Sequence, residues 1–415
     1  MGPFGSTVTT NNYVNDTNNY YIRGLDVGKF FLKEPEAKIG TVQFNKLKHY
    51  HVKHEDIFIT VVGTIGKVAI ITDENIKAIF SCKSTILRSK INPYYLTTFF
   101  NTKIGHKLLV RGKRGAIQEG LNLTDLKEIK IPIVSDDFQM KIEKIVKISL
   151  KKLKNSEMLY KHAEEILLEE LDLSDFKPSQ ENIAIKTFSE SFGISGRLDG
   201  EYYQPKYEDI LEKIKKIDYD KLINLVNINK SIEPGSDVYQ DAGIPFVRVS
   251  NLTKNGISNP DIHLPKNLFV SNQLEKLQPK KNTILLSKDG TIGIAYNIKD
   301  ETNIVTSGAI LHLTIKREDV LPEYLTLVLN SLLVKMQSER DAGGSIIKHW
   351  KPSEIAEILI PILENPIQIQ IEEKIKESFV LKEKSQHLLE ISKKAVEIAI
   401  EKDEEKAVEY INRQI

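Results

Sequence analysis

Ile57-Phe58-Ile59-Thr60-Val61-Val62-Gly63-Thr64-Ile65-Gly66-Lys67-Val68-Ala69-Ile70 reads as a strand, a tight turn and a second strand. Ile284-Leu285-Leu286-Ser287-Lys288-Asp289-Gly290-Thr291-Ile292-Gly293-Ile294-Ala295-Tyr296 reads the same way. The two Gly-Thr-Ile-Gly tetrads begin at 63 and 290, 227 positions apart. Two glycines three apart suit a turn that needs positive φ on either side of an apolar contact. One such turn is ordinary hairpin punctuation. Two of them, in matching contexts, mark an internal duplication that governs the reading of the whole chain.

The flanking sequence repeats in order. Tyr20-Tyr21-Ile22-Arg23-Gly24-Leu25 reads as a strand with an outward Arg, and Ile244-Pro245-Phe246-Val247-Arg248-Val249-Ser250-Asn251-Leu252 matches it. Pro93 opens a helix after the first turn and Pro322 opens one after the second, 229 positions on. A basic, glycine-flanked loop follows each: Gly112-Lys113-Arg114-Gly115-Ala116-Ile117-Gln118, and Gly343-Gly344-Ser345-Ile346-Ile347-Lys348-His349. Leu126–Ile133 and Ile355–Ile362, with Pro132 and Pro361, read as short closing strands.

A long helix is expected after each copy. Ile142, Val146, Ser149, Leu153, Ser156, Tyr160, Ala163 and Leu167 alternate steps of four and three, which is a coiled-coil seam. Ile371, Ile375, Ser378, Ser385, Leu389, Ser392 and Val396 repeat that register 229 further on, interrupted by Lys382. Helices of about 35 residues reach about 50 Å, longer than a compact domain needs. They are therefore expected to pair with each other and act as spacers. The expected fold is α+β: two repeated recognition domains, each followed by a long helix, with the helices pairing as an antiparallel coiled coil of pseudo-two-fold symmetry. The expected boundaries are a first domain over 1–135, a spacer helix over 136–178, a second domain over 179–364 and a second spacer helix over 365–415. The first domain reads as shorter at its N-terminal end, because the aromatic lead-in Arg197-Leu198-Asp199-Gly200-Glu201-Tyr202-Tyr203 has no counterpart before Gly5.

Composition narrows the function classes. Cys82 is the only cysteine among 415 residues, so neither a disulfide framework nor a cysteine-based zinc site fits. A lone thiol suits a reducing compartment, and no apolar run approaches the ~20 residues of a membrane span, so a cytoplasmic location without membrane contact is expected. Residues 1–134 hold 19 Lys and Arg against 11 Asp and Glu, whereas 235–363 hold 14 of each. The basic first segment permits a polyanionic partner.

Enzyme motifs are incomplete in this sequence. Asn92-Pro93-Tyr94-Tyr95 lacks the second proline of an adenine-methyltransferase motif, and the matching Leu321-Pro322-Glu323-Tyr324 lacks the Asn. Gly63–Lys67 is too short for a Walker-type phosphate loop. His49, His51 and His54 align with Lys276, Gln278 and Lys281, which are not a ligand set.

The duplicated layout resembles the specificity (S) subunits of Type I restriction-modification systems. The tetrads, the paired closing segments, the trailing helices and the Arg197–Tyr203 lead-in carry the resemblance over essentially the whole chain. It implies two target-recognition domains reading a bipartite double-stranded DNA site. It implies helices that dock two methyltransferase (M) subunits, and a restriction (R) subunit joining the complex. It further implies no catalytic centre and no cofactor in this chain, with S-adenosylmethionine held by the methyltransferase. Side chains suited to phosphates and base edges stand at Arg23, Lys67, Lys113, Arg114, Gln118, Arg248, Lys288, Arg340, Lys348 and His349. Ile142, Val146, Leu153, Tyr160, Leu167, Ile371, Ile375, Leu389 and Val396 are the expected helix and partner contacts. The alternatives are a coiled-coil scaffold whose repeated domains bind proteins, and the recognition subunit of another restriction-methylation enzyme.

Overall fold

The structure is a computed structural model describing residues 2–3, 5–115, 119–270, 272–343 and 348–415. It divides into two compact units, Met1–Asn155 with Leu381–Ile415, and Ser156–Val380.

The first unit is built on a four-stranded sheet in the order Phe30–Phe31, Val68–Ile70, Ile57–Thr60, Ser84–Leu87. Its central strand, Ile-Phe-Ile-Thr, is β-branched and aromatic and is buried along its length, as a strand covered on both faces should be. The helix Pro93–Asn101 packs on the sheet. Pro93 takes the first helical position, and the Asn92 side chain accepts hydrogen bonds from the Tyr94 and Tyr95 amides at 3.0 and 3.1 Å.

The second unit repeats this frame. Its sheet runs Val226–Lys230, Ile310–Ile315, Ile284–Ser287, Ala295–Asn297. Register is kept residue for residue: Thr60 faces Ser84 and Ile57 faces Leu87, while Ser287 faces Ile310 and Ile284 faces Leu313. Pro322–Asn330 is the matching helix.

In each unit a tyrosine on this helix ties down the closing segment. Tyr95 donates to the Pro132 carbonyl and Tyr324 to the Pro361 carbonyl, both at 2.8 Å. Buried glutamines then fix the start of each long helix. Gln139 accepts from the Asn92 amide (3.1 Å) and donates to the Val134 carbonyl (3.0 Å). Gln368 accepts from the Leu321 amide (3.0 Å) and donates to the Leu363 carbonyl (2.8 Å).

Two expectations change. Leu359–Pro361 is a strand because Tyr219–Lys221 lies antiparallel beside it. Residues 129–133 of the first unit are extended, but among the described residues no strand pairs with them. A strand exists only where a ladder partner exists, which periodicity alone does not reveal. Arg23 and Arg248 stand just past their strands. There each backbone N–H closes a short 3-10 turn on Asp26 (2.7 Å) or Asn251 (3.0 Å).

The long helices span Asp136–Glu170 and Asn365–Glu401, 35 and 37 residues. In the first unit Ile142 and Val146 share a core with Leu389 and Val396, and Leu153 packs against it. In the second unit Tyr160 and Leu167 share a core with Ile371 and Ile375. In the first unit the helix segments run antiparallel. Ser149 meets Ser385 while Ser135, earlier in the chain, meets the later Glu404. The buried serines explain the close approach. Ser149 donates to the Ser385 carbonyl at 2.9 Å and Ser378 to the Ser156 carbonyl at 2.8 Å, so the small polar seam positions satisfy themselves across the pair. The second long helix stops at Glu401. Asp403 caps a separate helix, Glu404–Gln414, which buries Ala407 and Ile411 in the first unit's core. Among the described residues no helix is long and apolar enough to cross a membrane.

Candidate nucleic-acid interface

The two glycine tetrads form the same turn. Gly63, Gly66, Gly290 and Gly293 all have φ between 72° and 81°, the region where a side chain is strained. A buried hydroxyl closes each turn. Thr60 Oγ1 accepts from the Lys67 amide and Ser287 Oγ from the Ile294 amide, both at 2.9 Å. The amides of Gly66 and Gly293 reach the carbonyls of Thr60 and Ser287, again at 2.9 Å. Thr60 and Ser287 were visible in the sequence as hydroxyls at matching positions, but their role needed the turn geometry.

The described ends of each basic loop pair antiparallel as a hairpin base that leans on that turn. In the first unit Lys113 and Arg114 pair with Leu121 and Gly120, and the Leu121 amide donates to the Val61 carbonyl at 2.8 Å. In the second, Gly343 pairs with His349, the Trp350 amide donates to the Lys288 carbonyl at 2.8 Å, and the Gly290 amide donates to the Lys348 carbonyl at 2.9 Å. Leu121 and Trp350 are buried and pin the hairpin bases. Each unit therefore sets a glycine turn beside a basic hairpin on one surface.

Lys67, Lys113 and Arg114 belong to this surface in the first unit; Lys288, Lys348 and His349 belong to it in the second. Lys67 and Lys348 are exposed, and among the described residues no carboxylate lies within ion-pair distance of either. The others are engaged. Lys113 meets Glu119 at 3.0 Å and Arg114 meets Asp125 at 2.7 Å. Asp289 takes Lys288 on one oxygen and His349 Nδ1, at 2.8 Å, on the other. The sequence reading missed Asp125 and Asp289, although Asp289 adjoins the tetrad. It also missed a groove of about 510 Å³ beside the first hairpin, lined by Arg111, Arg114 and Lys130, by Asp125 and Glu128, and by Leu108, Gly112 and Ile129.

The structure sets other predicted residues apart. Arg340 is held inside the second unit: its side chain is 17% exposed, pairs with Asp341 at 2.7 Å, and its guanidinium lies 5.0 Å from the Tyr202 ring. Arg197 lies against the same ring at 4.5 Å, so Arg340 serves to dock the lead-in segment. Burial pushes the Asp341 carboxyl up, with Arg340 opposing. Arg23 is held by Asp26 and Glu36, and Arg248 by Asp261 at 3.0 Å. Gln118 lies outside the described residues. His51 stacks on Phe44 and bonds its carbonyl, and among the described residues no cluster of His, Cys, Asp or Glu is arranged to hold a metal.

Residues 4–162 and 211–388 each match the family described as the Type I restriction modification DNA specificity domain, which together is well over half of the chain. The chain belongs to that family. The two matches fall on the two copies of the repeat, so the family's domain occurs here twice. Solved structures resembling this specificity-family chain include the Type I S subunit from M. genitalium, with a TM-score of 0.42 and 14% identity over 94% of this chain and 90% of that one. The HsdS subunit from Thermoanaerobacter tengcongensis gives 0.31 and 12%, over 97% and 94%. A chain from a study of complex assembly and conformational transition in the type I R-M system gives 0.32 and 12%, over 91% and 90%. No curated protein sequence matches.

Proposed function

We propose that this chain is the sequence-specificity subunit of a Type I restriction-modification complex and reads a bipartite double-stranded DNA site, one half with each unit. The observation that carries this reading is the turn-and-hairpin surface, built twice on one backbone plan with different side chains. A shared frame with Arg114 and Gly120 in one unit and Gly343 and His349 in the other is what two readers of different half-sites require. The exposed Lys67 and Lys348 suit phosphate contacts, which fix register without reading sequence.

In this reading the long helices dock two methyltransferase subunits, and a restriction subunit joins them. A chain with two copies of one domain offers two matching docking faces, which suits two identical partners. Methyl transfer, with S-adenosylmethionine, belongs to the methyltransferase, and cleavage to the restriction subunit. This chain contributes recognition and no catalytic group.

Methylome sequencing of cells expressing the chain with its methyltransferase partner tests the proposal. The expected result is methylation at one split motif, lost when the chain is deleted. Unchanged methylation after deletion overturns the reading. A protein-binding scaffold would in addition show no steep loss of DNA affinity as salt rises, whereas a reader of several phosphates loses affinity by orders of magnitude.

A further inference from the structure

At the base of each hairpin one position of a cross-strand pair is glycine and the other carries a side chain rich in hydrogen-bonding nitrogen. Arg114 faces Gly120 in the first unit; Gly343 faces His349 in the second. The bearing arm is swapped between the units. In both cases the opposite glycine leaves the space beside the side chain open.

Both side chains are exposed, 72% for Arg114 and 64% for His349, yet both are held by a carboxylate from a neighbouring element. Asp125 comes from the short helix Leu123–Lys127 that follows the first hairpin. It is wedged in place: a Cβ on Gly112 would lie 2.9 Å from the Asp125 Cβ, and Asp125 Oδ2 is buried with no hydrogen-bond partner among the described residues. Asp289 comes from the glycine turn, and Lys288 occupies its second oxygen. Exposed ion pairs contribute little to stability, so stability does not account for two such arrangements at matching places. They do restrict where a long or rotatable side chain points.

We propose that Asp125 and Asp289 are positioning residues that aim Arg114 and His349 at base edges. Arg114 and His349 are then specificity determinants, while the exposed Lys67 and Lys348 contact phosphates. The proposal rests on the DNA-reading function above. Arg114 bonds Asp125 through one Nη and keeps its remaining donors, which match the paired O6 and N7 acceptors of guanine in the major groove. His349 differs. An ionised carboxylate can only accept, so the Nδ1 facing Asp289 carries the proton. When that is the ring's single proton, Nε2 is a lone-pair acceptor, suited to the exocyclic amine of adenine or cytosine.

The test is methylome sequencing of cells expressing the chain with its methyltransferase, in wild type and single variants. Arg114→Ala is expected to relax one guanine position in one half of the motif, with a loss of preference on the order of ten- to hundredfold. Asp125→Ala is expected to relax the same position. His349→Ala and Asp289→Ala are expected to relax one position in the other half, and their double variant to be no worse than either alone. Lys67→Ala and Lys348→Ala are expected to slow methylation at an unchanged motif.

Unaltered motifs in the Arg114 and His349 variants overturn the inference, as do effects of both pairs in the same half. Where Arg114→Ala abolishes methylation, Arg114→Gln decides. Methylation restored with the guanine relaxed supports the proposal; methylation restored at the original motif overturns it. If neither variant methylates, binding of the purified complex to duplexes differing at that position decides, and equal loss for all four bases overturns it. A wild-type chain that specifies no split motif refutes the function itself, a different outcome from an intact motif that ignores these substitutions.

Discussion

His312 makes the second unit sensitive to acid in a way the first is not. It lies in the strand Ile310–Ile315, is 6% exposed, and its Nε2 hydrogen-bonds Thr306 Oγ1 at 2.8 Å. Burial pushes the imidazole down from 6.5 to about 4. The folded state resists protonation that the unfolded chain accepts, so the unfolded chain binds more protons between those values. Stability is therefore full above the unfolded value and falls with pH through that window. At ~1.4 kcal/mol per pH unit the whole window is worth about 3 kcal/mol, of which about 2 kcal/mol is lost between pH 7 and pH 5. For a unit of this size that is a fall in Tm of about 4–8 °C.

The first unit supplies the control substitution. By sheet register Ile86 holds the place of His312, since Phe58 faces Ile86 as Leu285 faces His312. His312→Ile is expected to remove this component of the pH dependence while other titrating groups act equally on both chains. The assay is thermal unfolding at pH 7, 6 and 5, followed by the fluorescence of Trp350. It is the only tryptophan in the chain and is buried in the second unit's core, so it reports that unit alone. If the Tm values of wild type and His312→Ile fall in parallel from pH 7 to pH 5, the reasoning is wrong.

Glu323 is buried against Lys299 and accepts from Asn297 at 2.8 Å, so Lys299→Met is expected to cost about 3–5 kcal/mol in urea unfolding read by Trp350. Adding Glu323→Leu should recover most of it, because no buried charge is then left unpaired. Gly66 and Gly293 share a positive φ that costs alanine about 1–2 kcal/mol. A Cβ on Gly66 would also lie 2.8 Å from Val110 Cγ1, against 3.7 Å from Ser338 Oγ for Gly293, so Gly66→Ala should lower Tm the more. Ser378→Ala in the helix seam should cost about 1 kcal/mol by denaturant midpoint, and Ser378→Leu about 1–3 kcal/mol or more through overpacking; equal effects would refute the close-approach account.

The duplication was legible because it rests on local chemistry repeated in order. Positive φ needs glycine, a helix start tolerates proline, and a seam of threes and fours needs one helix face. Ile142, Val146, Ile371 and Val396 follow from that period alone. Long-range pairing was not legible. The segment 129–133 has the composition of a strand and is not one, because among the described residues no strand lies beside it. Arg340 looked like a basic residue preceding a basic loop, and only the docked Tyr202 shows why it is partly covered. Lys288 and His349 read as two independent cations, although both converge on Asp289 across 60 positions of chain.

The contacts that recur in both units mostly join a side chain to backbone. Thr60 and Ser287 close the turns, Tyr95 and Tyr324 hold the closing segments, and Gln139 and Gln368 fix the helix starts. A backbone partner is present whatever residue stands there, so such contacts survive divergence of everything around them. The hairpin bases are tied to the turns by backbone hydrogen bonds, between Val61 and Leu121 in one unit and Lys288 and Trp350 in the other. Side chains there are free to change without moving the frame. That is why Arg114 with Asp125 and His349 with Asp289 can be different answers on one scaffold. It also separates the tetrads from the specificity they support: glycine has no side chain with which to read a base, and the turn's work is to hold the hairpin that does.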